Sequence, residues 1–369
     1  MTQAQMIIKS GQGDYPVDFV DDVELVPAII NPVPETFVLI DEALVELYGD
    51  ALTLLLAYPT YRIRADEESK TLTGVSLFVD WLLANKATRS AQIVAIGGGV
   101  IQDVAAFACH IYYRGVSWTF VPTTLLSQAD SCIGAKSSIN VLPLKNQLGV
   151  FHSPRHVVIC SQFLTSLPQL EVDSGYGEIY KLALTNDGAF FTELTGALSN
   201  GGHRNPQLLE LIRKALNSKR LVIEQDEHES DLRRVLNYGH SFGHALEALT
   251  GNAVPHGLAV MWGMDLINFL GVGWGLTNPE AAKRVRAALT AHTDYVISVL
   301  PSARDLVEVL KRDKKVRNAV MHFAVLYDIG DLRIVPKPLD ETLVAEVSEY
   351  LAGEPLFIGQ APGRAHRER

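Results

Sequence analysis

The chain has 369 residues, of which 47% are hydrophobic and 20% charged, an ordinary composition for a soluble protein large enough for two domains. Its formal net charge of −10, with no stripe of Lys and Arg, argues against nucleic acid or a membrane surface as partner. The 3 cysteines, Cys109, Cys132 and Cys160, stand apart without a CxxC pair, which excludes a disulfide framework and a thiolate zinc site and fits a reducing cytoplasm. The N-terminal stretch has no basic region followed by an apolar one, and no apolar run reaches the length of a membrane span, so no export signal is expected.

In chain order, the β-branched runs FVLID (Phe37 to Asp41), IVAI (Ile93 to Ile96), WTFV (Trp118 to Val121) and HVVIC (His156 to Cys160) alternate with helix-like stretches. This predicts an α/β nucleotide-binding half. Ile93 to Ile96 runs into Gly97, Gly98 and Gly99, and IQDVAAFACHIYYRG follows with helical apolar spacing. Glycines admit a phosphate close to the backbone, and a helix N-terminus offers it free N–H groups and a positive dipole end. A tight turn with no ligand has the same composition, because GGG is not the GxGxxG fingerprint. VPTTLLSQADSCIGAKSSINVLPLKNQLG, with Asp130, Lys136, Lys145 and Asn146 and the turn formers Gly134 and Pro143, reads as a long loop lining a site.

From about Leu167 the pattern lengthens into helices, among them PQLLELIRKALNSKRLVIEQDE and HSFGHALEAL, with a late hairpin around HFAVLYDIGDLRIV. The expected domains are 1–166, α/β, and 167–369, mainly helical. The tail GQAPGRAHRER has the composition of a disordered end. His240 and His244, one helical turn apart in NYGHSFGHALEA, share a face that suits a metal or a proton relay. His256 in VPHGLAV and Glu178 in SGYGEIYK add a third nitrogen and a carboxylate, and a nitrogen and oxygen set with an open position is what catalytic zinc uses. Lys219, Arg233 and Asn237 precede His240, and Lys314 with Lys315 follows it. Most such cations only solvate a surface, but a phosphorylated, carboxylated sugar would need several in one place.

Seven segments in order, GGGVIQDVAAF, YYRG, VPTTLLSQAD, AKSSIN, LKNQLG, SGYGEIYK and LNYGHSFGHALEA, resemble the dehydroquinate synthases and related sugar phosphate cyclases, over most of residues 37–330. The resemblance implies a Rossmann-like NAD-binding α/β domain followed by a helical metal-binding domain, and a homodimer. It implies zinc, with cobalt as an alternative, on Glu178, His240 and His256, leaving His244 to touch substrate or relay a proton. NAD would contact Asp41, Glu67, Lys70, Gly97, Gly98, Gly99, Asp103, Thr123, Thr124, Asp130, Lys145 and Asn146. Substrate would meet Asp130, Lys136, Lys181, Lys219, Arg233, Asn237 and His244, joined by Lys314 or Lys315, with Arg114 reaching a phosphate across a dimer interface. The implied chemistry is transient oxidation of a ring carbinol by NAD, loss of phosphate, return of the hydride, and an intramolecular aldol closure.

Four departures from the family pattern bear on substrate: AKSSIN for a GKTGIN-like form, Leu144 for glycine, Tyr176 and Gly177 for a Met-Ala pair, and Leu258 for glutamate. The cations suited to a carboxylated substrate are all present, so 3-dehydroquinate synthase is the expected activity. The alternatives are a 2-deoxy-scyllo-inosose synthase or an aminodehydroquinate synthase. A valiolone-forming enzyme ranks lower because His244 is present, and a metal-dependent polyol dehydrogenase lower still, because an alcohol needs no such cations.

Overall fold

The computed structural model describes residues 5–141, 144–186, 188–201, 207–312 and 318–358. The tail GQAPGRAHRER and the pair Lys314 and Lys315 lie outside them. The chain forms two units, Met1–Gly175 with Pro206–Arg233, and Tyr176–Asn205 with Arg234–Arg369. This division differs from a cut at 166/167, since Pro206–Arg233 returns to the first unit. The reason is tertiary: the helix Leu208–Ile223 buries a broad face, Leu211, Ile212, Ala215, Leu216 and Lys219 among it, and Lys219 reaches Asp130. An amphipathic pattern marks such a helix without saying what it covers.

The first unit is built on a seven-stranded sheet of β1 (Met6–Ile8), β2 (Tyr15–Val20), β3 (Thr36–Asp41), β4 (Thr60–Ile63), β5 (Gln92–Gly97), β6 (Ser117–Pro122) and β9 (His156–Cys160). Their order is β1-β2-β9-β6-β5-β3-β4, with only the β1/β2 pair antiparallel. Ile93, Val94, Ala95 and Ile96 of β5 are all fully buried, as a parallel strand covered on both faces requires. From β3 the chain steps outward to β4, then crosses back to β5 on the other side of β3 and continues to β6 and β9. The strand order therefore reverses between β3 and β5, and open α/β sheets bind ligands outside the strand ends at such a reversal. Asp41 and Gly97 end these two strands, one residue beyond the Ile40 and Ile96 pair.

The stretch expected as a loop after Gly134 is instead a hairpin, β7 (Lys136–Val141) against β8 (Leu144–Phe151). Ser137 and Ile139 alternate inward along β7, a strand signal masked by serine and asparagine. Ser127–Ser131 just before it is a π-helical turn.

The second unit carries, among others, the helices His240–Leu249, His256–Gly273, Pro279–Thr290 and Glu341–Ala352, and most of Gln169–Asn186, which crosses the division. The expected late hairpin is present as β10 (Val320–Asp328) and β11 (Asp331–Pro338). Cys109, Cys132 and Cys160 are buried and unbridged. Among the described residues no helix is long and apolar enough to cross a membrane.

Candidate functional site

At the end of β5, Gly98 caps the helix Gly99–Ile111. A Cβ on Gly97 would lie 2.3 Å from Ile101 Cγ1, and one on Gly98 2.9 Å from the Thr124 methyl carbon. Those two glycines let the turn close. A Cβ on Gly99 would meet nothing within 4 Å, so the backbone there faces open space beside the unsatisfied N–H groups of the helix's first turn. Open space beside a helix N-terminus is the setting that suits a phosphate anion. Thr123 N–H donates to the Gly97 carbonyl at 3.0 Å, fixing the end of β6 alongside.

Around this turn one polar network ties helix to hairpin. Lys70 Nζ lies 2.6 Å from Asp103 Oδ2 and donates to Asn146 Oδ1 at 2.8 Å. Asp103 also accepts from the Ser137 hydroxyl and, at 3.0 Å, from Ser138 N–H. Glu67 accepts from Asn140 Nδ2 at 2.6 Å, and Lys145 Nζ lies 3.5 Å from its other oxygen. Asp41 spends its carboxylate on the N–H of Ala43, capping the next helix, and burial raises its pKa.

A second group gathers cations about residues 130–136. Buried Lys219 contacts Asp130 twice, the carboxylate at 2.5 Å and the carbonyl at 2.7 Å. Arg233, also buried, donates to the carbonyls of Glu227 and, at 3.1 Å, Gly134, while Lys136 pairs with Glu229. Gly134 N–H is held by Tyr15 Oη at 3.1 Å.

In the second unit, the ring nitrogens of His240, His244 and His256 lie within 4.8 Å of one another. Glu178 Oε1 is 3.3 Å from His240 Nε2 and 3.1 Å from His256 Nε2. Burial opposes ionisation of Glu178, yet Lys181, paired with it, and the two histidines hold its pKa well below the usual range. Burial lowers the pKa of His240. It also works to lower that of His256, but hydrogen bonds to Glu178 and Glu247 prevail and push it up to about 10. Each ring has an acceptor at Nδ1: the Tyr238 carbonyl for His240 and Glu247 Oε2 for His256, both at 3.1 Å. With Nδ1 donating, both Nε2 atoms face one carboxylate oxygen, and the raised pKa of His256 puts a proton on its Nε2 toward that oxygen. With that proton displaced, two imidazole nitrogens and a carboxylate oxygen converge, a donor set that suits zinc or cobalt.

Residues 60–174 match the family description of the 3-dehydroquinate synthase N-terminal domain, and residues 175–316 that of the C-terminal domain. A 3-dehydroquinate synthase of Sulfurimonas denitrificans is 36% identical over 291 residues, spanning 78% of this chain and 82% of that protein. The chain belongs to the dehydroquinate synthase family. Its fold is also that of a solved 2-deoxy-scyllo-inosose synthase complexed with carbaglucose-6-phosphate, NAD+ and Co2+, at a TM-score of 0.83 and 23% identity over 94% of this chain and 100% of the other. A 2-epi-5-epi-valiolone synthase from Streptomyces hygroscopicus subsp. jinggangensis 5008, solved with NAD+ and Zn2+, superposes with a TM-score of 0.82 at 26% identity, covering 95% and 99%.

Within this dehydroquinate synthase fold, three expected residues stand differently from the rest. Arg114 is exposed at the C-terminal end of the 13-residue helix whose N-terminus is the glycine turn, about 20 Å along it, so this chain does not bring Arg114 to the turn. Asn237 turns back to the Arg234 carbonyl at 3.1 Å, and His244 is the exposed member of the histidine group. Sequence reasoning missed Glu247, Glu229, Asn140 and Ser137. Glu247 was findable, since it follows His240 and His244 on the same helical face, whereas the other three join their partners only through the fold. The family departures have structural counterparts. Ser137 keeps a hydroxyl on Asp103, Leu258 is fully buried, and Tyr176 packs edge-on against His292 at 5.2 Å.

Proposed function

We propose that the chain is a 3-dehydroquinate synthase, an NAD- and zinc-dependent lyase that converts 3-deoxy-arabino-heptulosonate 7-phosphate to 3-dehydroquinate and phosphate. The observation that carries the substrate choice is the gathering of Lys136, Lys219 and Arg233 about residues 130–136, each against oxygen acceptors that an anionic substrate can replace. A carboxylate and a phosphate need such cations, and Arg captures a carboxylate with two parallel bonds. A simple alcohol substrate does not.

When bound, the dinucleotide supplies a reversible hydride acceptor and the metal ion a Lewis acid for the ring carbinol. Gly99 and the helix behind it would hold the pyrophosphate, while Lys70, Asp103, Thr124, Lys145 and Asn146 orient the rest of the dinucleotide. Glu178, His240 and His256 would hold the metal. Lys181 keeps Glu178 ionised, and His244, exposed beside the other two rings, would contact the substrate or relay a proton. Lys136 and Arg233 offset the charge of the departing phosphate and the carboxylate. The same family reading carries a cytoplasmic homodimer in which Arg114 serves the partner's substrate.

The test is phosphate release by the purified enzyme with zinc and catalytic NAD, offered 3-deoxy-arabino-heptulosonate 7-phosphate, glucose 6-phosphate and sedoheptulose 7-phosphate in turn. Turnover of the first alone, without net NADH, is the expected result. The departures at Tyr176, Gly177 and Leu258 favour, as second reading, a cyclase of specialised metabolism, and turnover of either other sugar in place of the first would establish it. NADH accumulating in proportion to substrate would replace both readings with a dehydrogenase.

A further inference from the structure

We propose that Glu247 is a positioning residue for the metal centre, accepting the Nδ1 proton of His256 so that the ring presents Nε2 to the ion. This rests on the reading of Glu178, His240 and His256 as ligands and goes beyond it in assigning a role to a carboxylate outside that set. Glu247 Oε2 lies 3.1 Å from His256 Nδ1, on the side of the ring opposite Nε2, which faces Glu178 Oε1 at 3.1 Å. An imidazole held at both nitrogens has its tautomer and its rotation fixed together.

Three observations single out Glu247. It extends the face of His240 and His244 by one more turn, so the helix that supplies one ligand also steers another. Its backbone is anchored where that helix ends, the Glu247 carbonyl accepting from Asn252 N–H at 2.8 Å. The carboxylate is 13% exposed, and among the described residues no lysine or arginine pairs with it, so it is left to accept from the imidazole N–H. His240 achieves the same end with the Tyr238 carbonyl, a backbone group that no substitution at that position removes. His256 opens its helix directly after Pro255, and only a side chain steers its ring.

The experiment measures zinc affinity by competition with a chromophoric chelator, for the unaltered protein, Glu247→Gln, Glu247→Ala and, as reference, His256→Ala. A conserved fold is checked by far-UV circular dichroism. Loss of such a partner weakens metal binding by roughly 10- to 100-fold. Glu247→Ala is expected in that range. Glu247→Gln, which still accepts the Nδ1 proton but carries no charge, should fall between it and the unaltered protein, and serves alone if the alanine variant does not fold. The visible spectrum of the cobalt-loaded protein should change shape in Glu247→Ala, because a ring free to rotate alters the ligand field, an effect that general loosening elsewhere would not produce. Equal affinities and spectra in all but His256→Ala would overturn the role of Glu247 and leave the ligand set standing. Tight zinc binding that survives in His256→Ala would instead remove the ligand set on which the role rests.

Discussion

Asp226 shows how a single carboxylate fixes the turn that leads into Arg233. Its two oxygens accept from the N–H groups of Ser230 and Asp231 at 2.8 Å and of Arg233 at 3.0 Å, and from the Ser230 hydroxyl at 2.8 Å. Burial works against its ionisation, but these donors prevail and hold its pKa far below the usual carboxylate value. The turn they close holds Glu229 at φ 59° and delivers Arg233 toward Gly134. Since the folded pKa is depressed, the stabilisation is present above the unfolded value, about 3.9, and is lost as pH falls through the folded one. Asp226→Asn should therefore cost about 1–3 kcal/mol in urea denaturation at pH 7, the price of setting an amide among donors, and progressively less only as pH falls below the unfolded value toward the depressed folded one. A cost that does not shrink between pH 7 and the lowest pH at which both proteins remain folded would rule out the ionised carboxylate as the cause. None of this was legible beforehand, because an aspartate in DEHESDLRR has the composition of any exposed turn.

Between elements, the proposed metal ligands are placed by helices that approach closely at glycines. A Cβ on Gly177 would sit 2.3 Å from the Gly257 carbonyl oxygen and 2.7 Å from its Cα, and these two glycines adjoin Glu178 and His256. Gly239, at φ 77°, could carry no Cβ without meeting the Val260 carbonyl at 2.5 Å, and it adjoins His240. Gly177→Ala would restore the residue usual in the family. In an isolated helix it would stabilise by about 1 kcal/mol. Here the added methyl meets backbone that no rotamer change can move, and overpacking costs about 1–3 kcal/mol. The net expectation is a lower melting temperature and weaker zinc binding, read by calorimetry and chelator competition, and a variant that melts higher with unchanged affinity would refute the close approach. The pairing of His240 with His244 was legible because both lie on one helix. That Glu178 joins them was implied by the family resemblance and not by spacing, since its distance in sequence from His240 says nothing of the helix contact that brings them together.

At the scale of the whole molecule, the alternation of strands and helices was enough to read the α/β first half and the helical second half, because both patterns are local. The return of Leu208–Ile223 to the first unit was not readable, and neither was the hairpin of β7 and β8, whose polar residues serve Asp103 and Glu67 rather than a core. The described residues near the proposed metal, Glu178, Lys181, His240, His244, Glu247 and His256, all belong to the second unit, and they draw three helices together at one point. An ion there acts as a cross-link within that unit. At a free zinc concentration 100 times Kd it adds about 2.7 kcal/mol. For units of this size each kcal/mol shifts Tm by about 2–4 °C, so chelation should lower Tm by roughly 5–10 °C. Hydrogen exchange locates the effect: zinc should slow amides of Gln169–Asn186, His240–Leu249 and His256–Gly273. Slowing confined to other segments would place the ion elsewhere, whatever the shift in Tm.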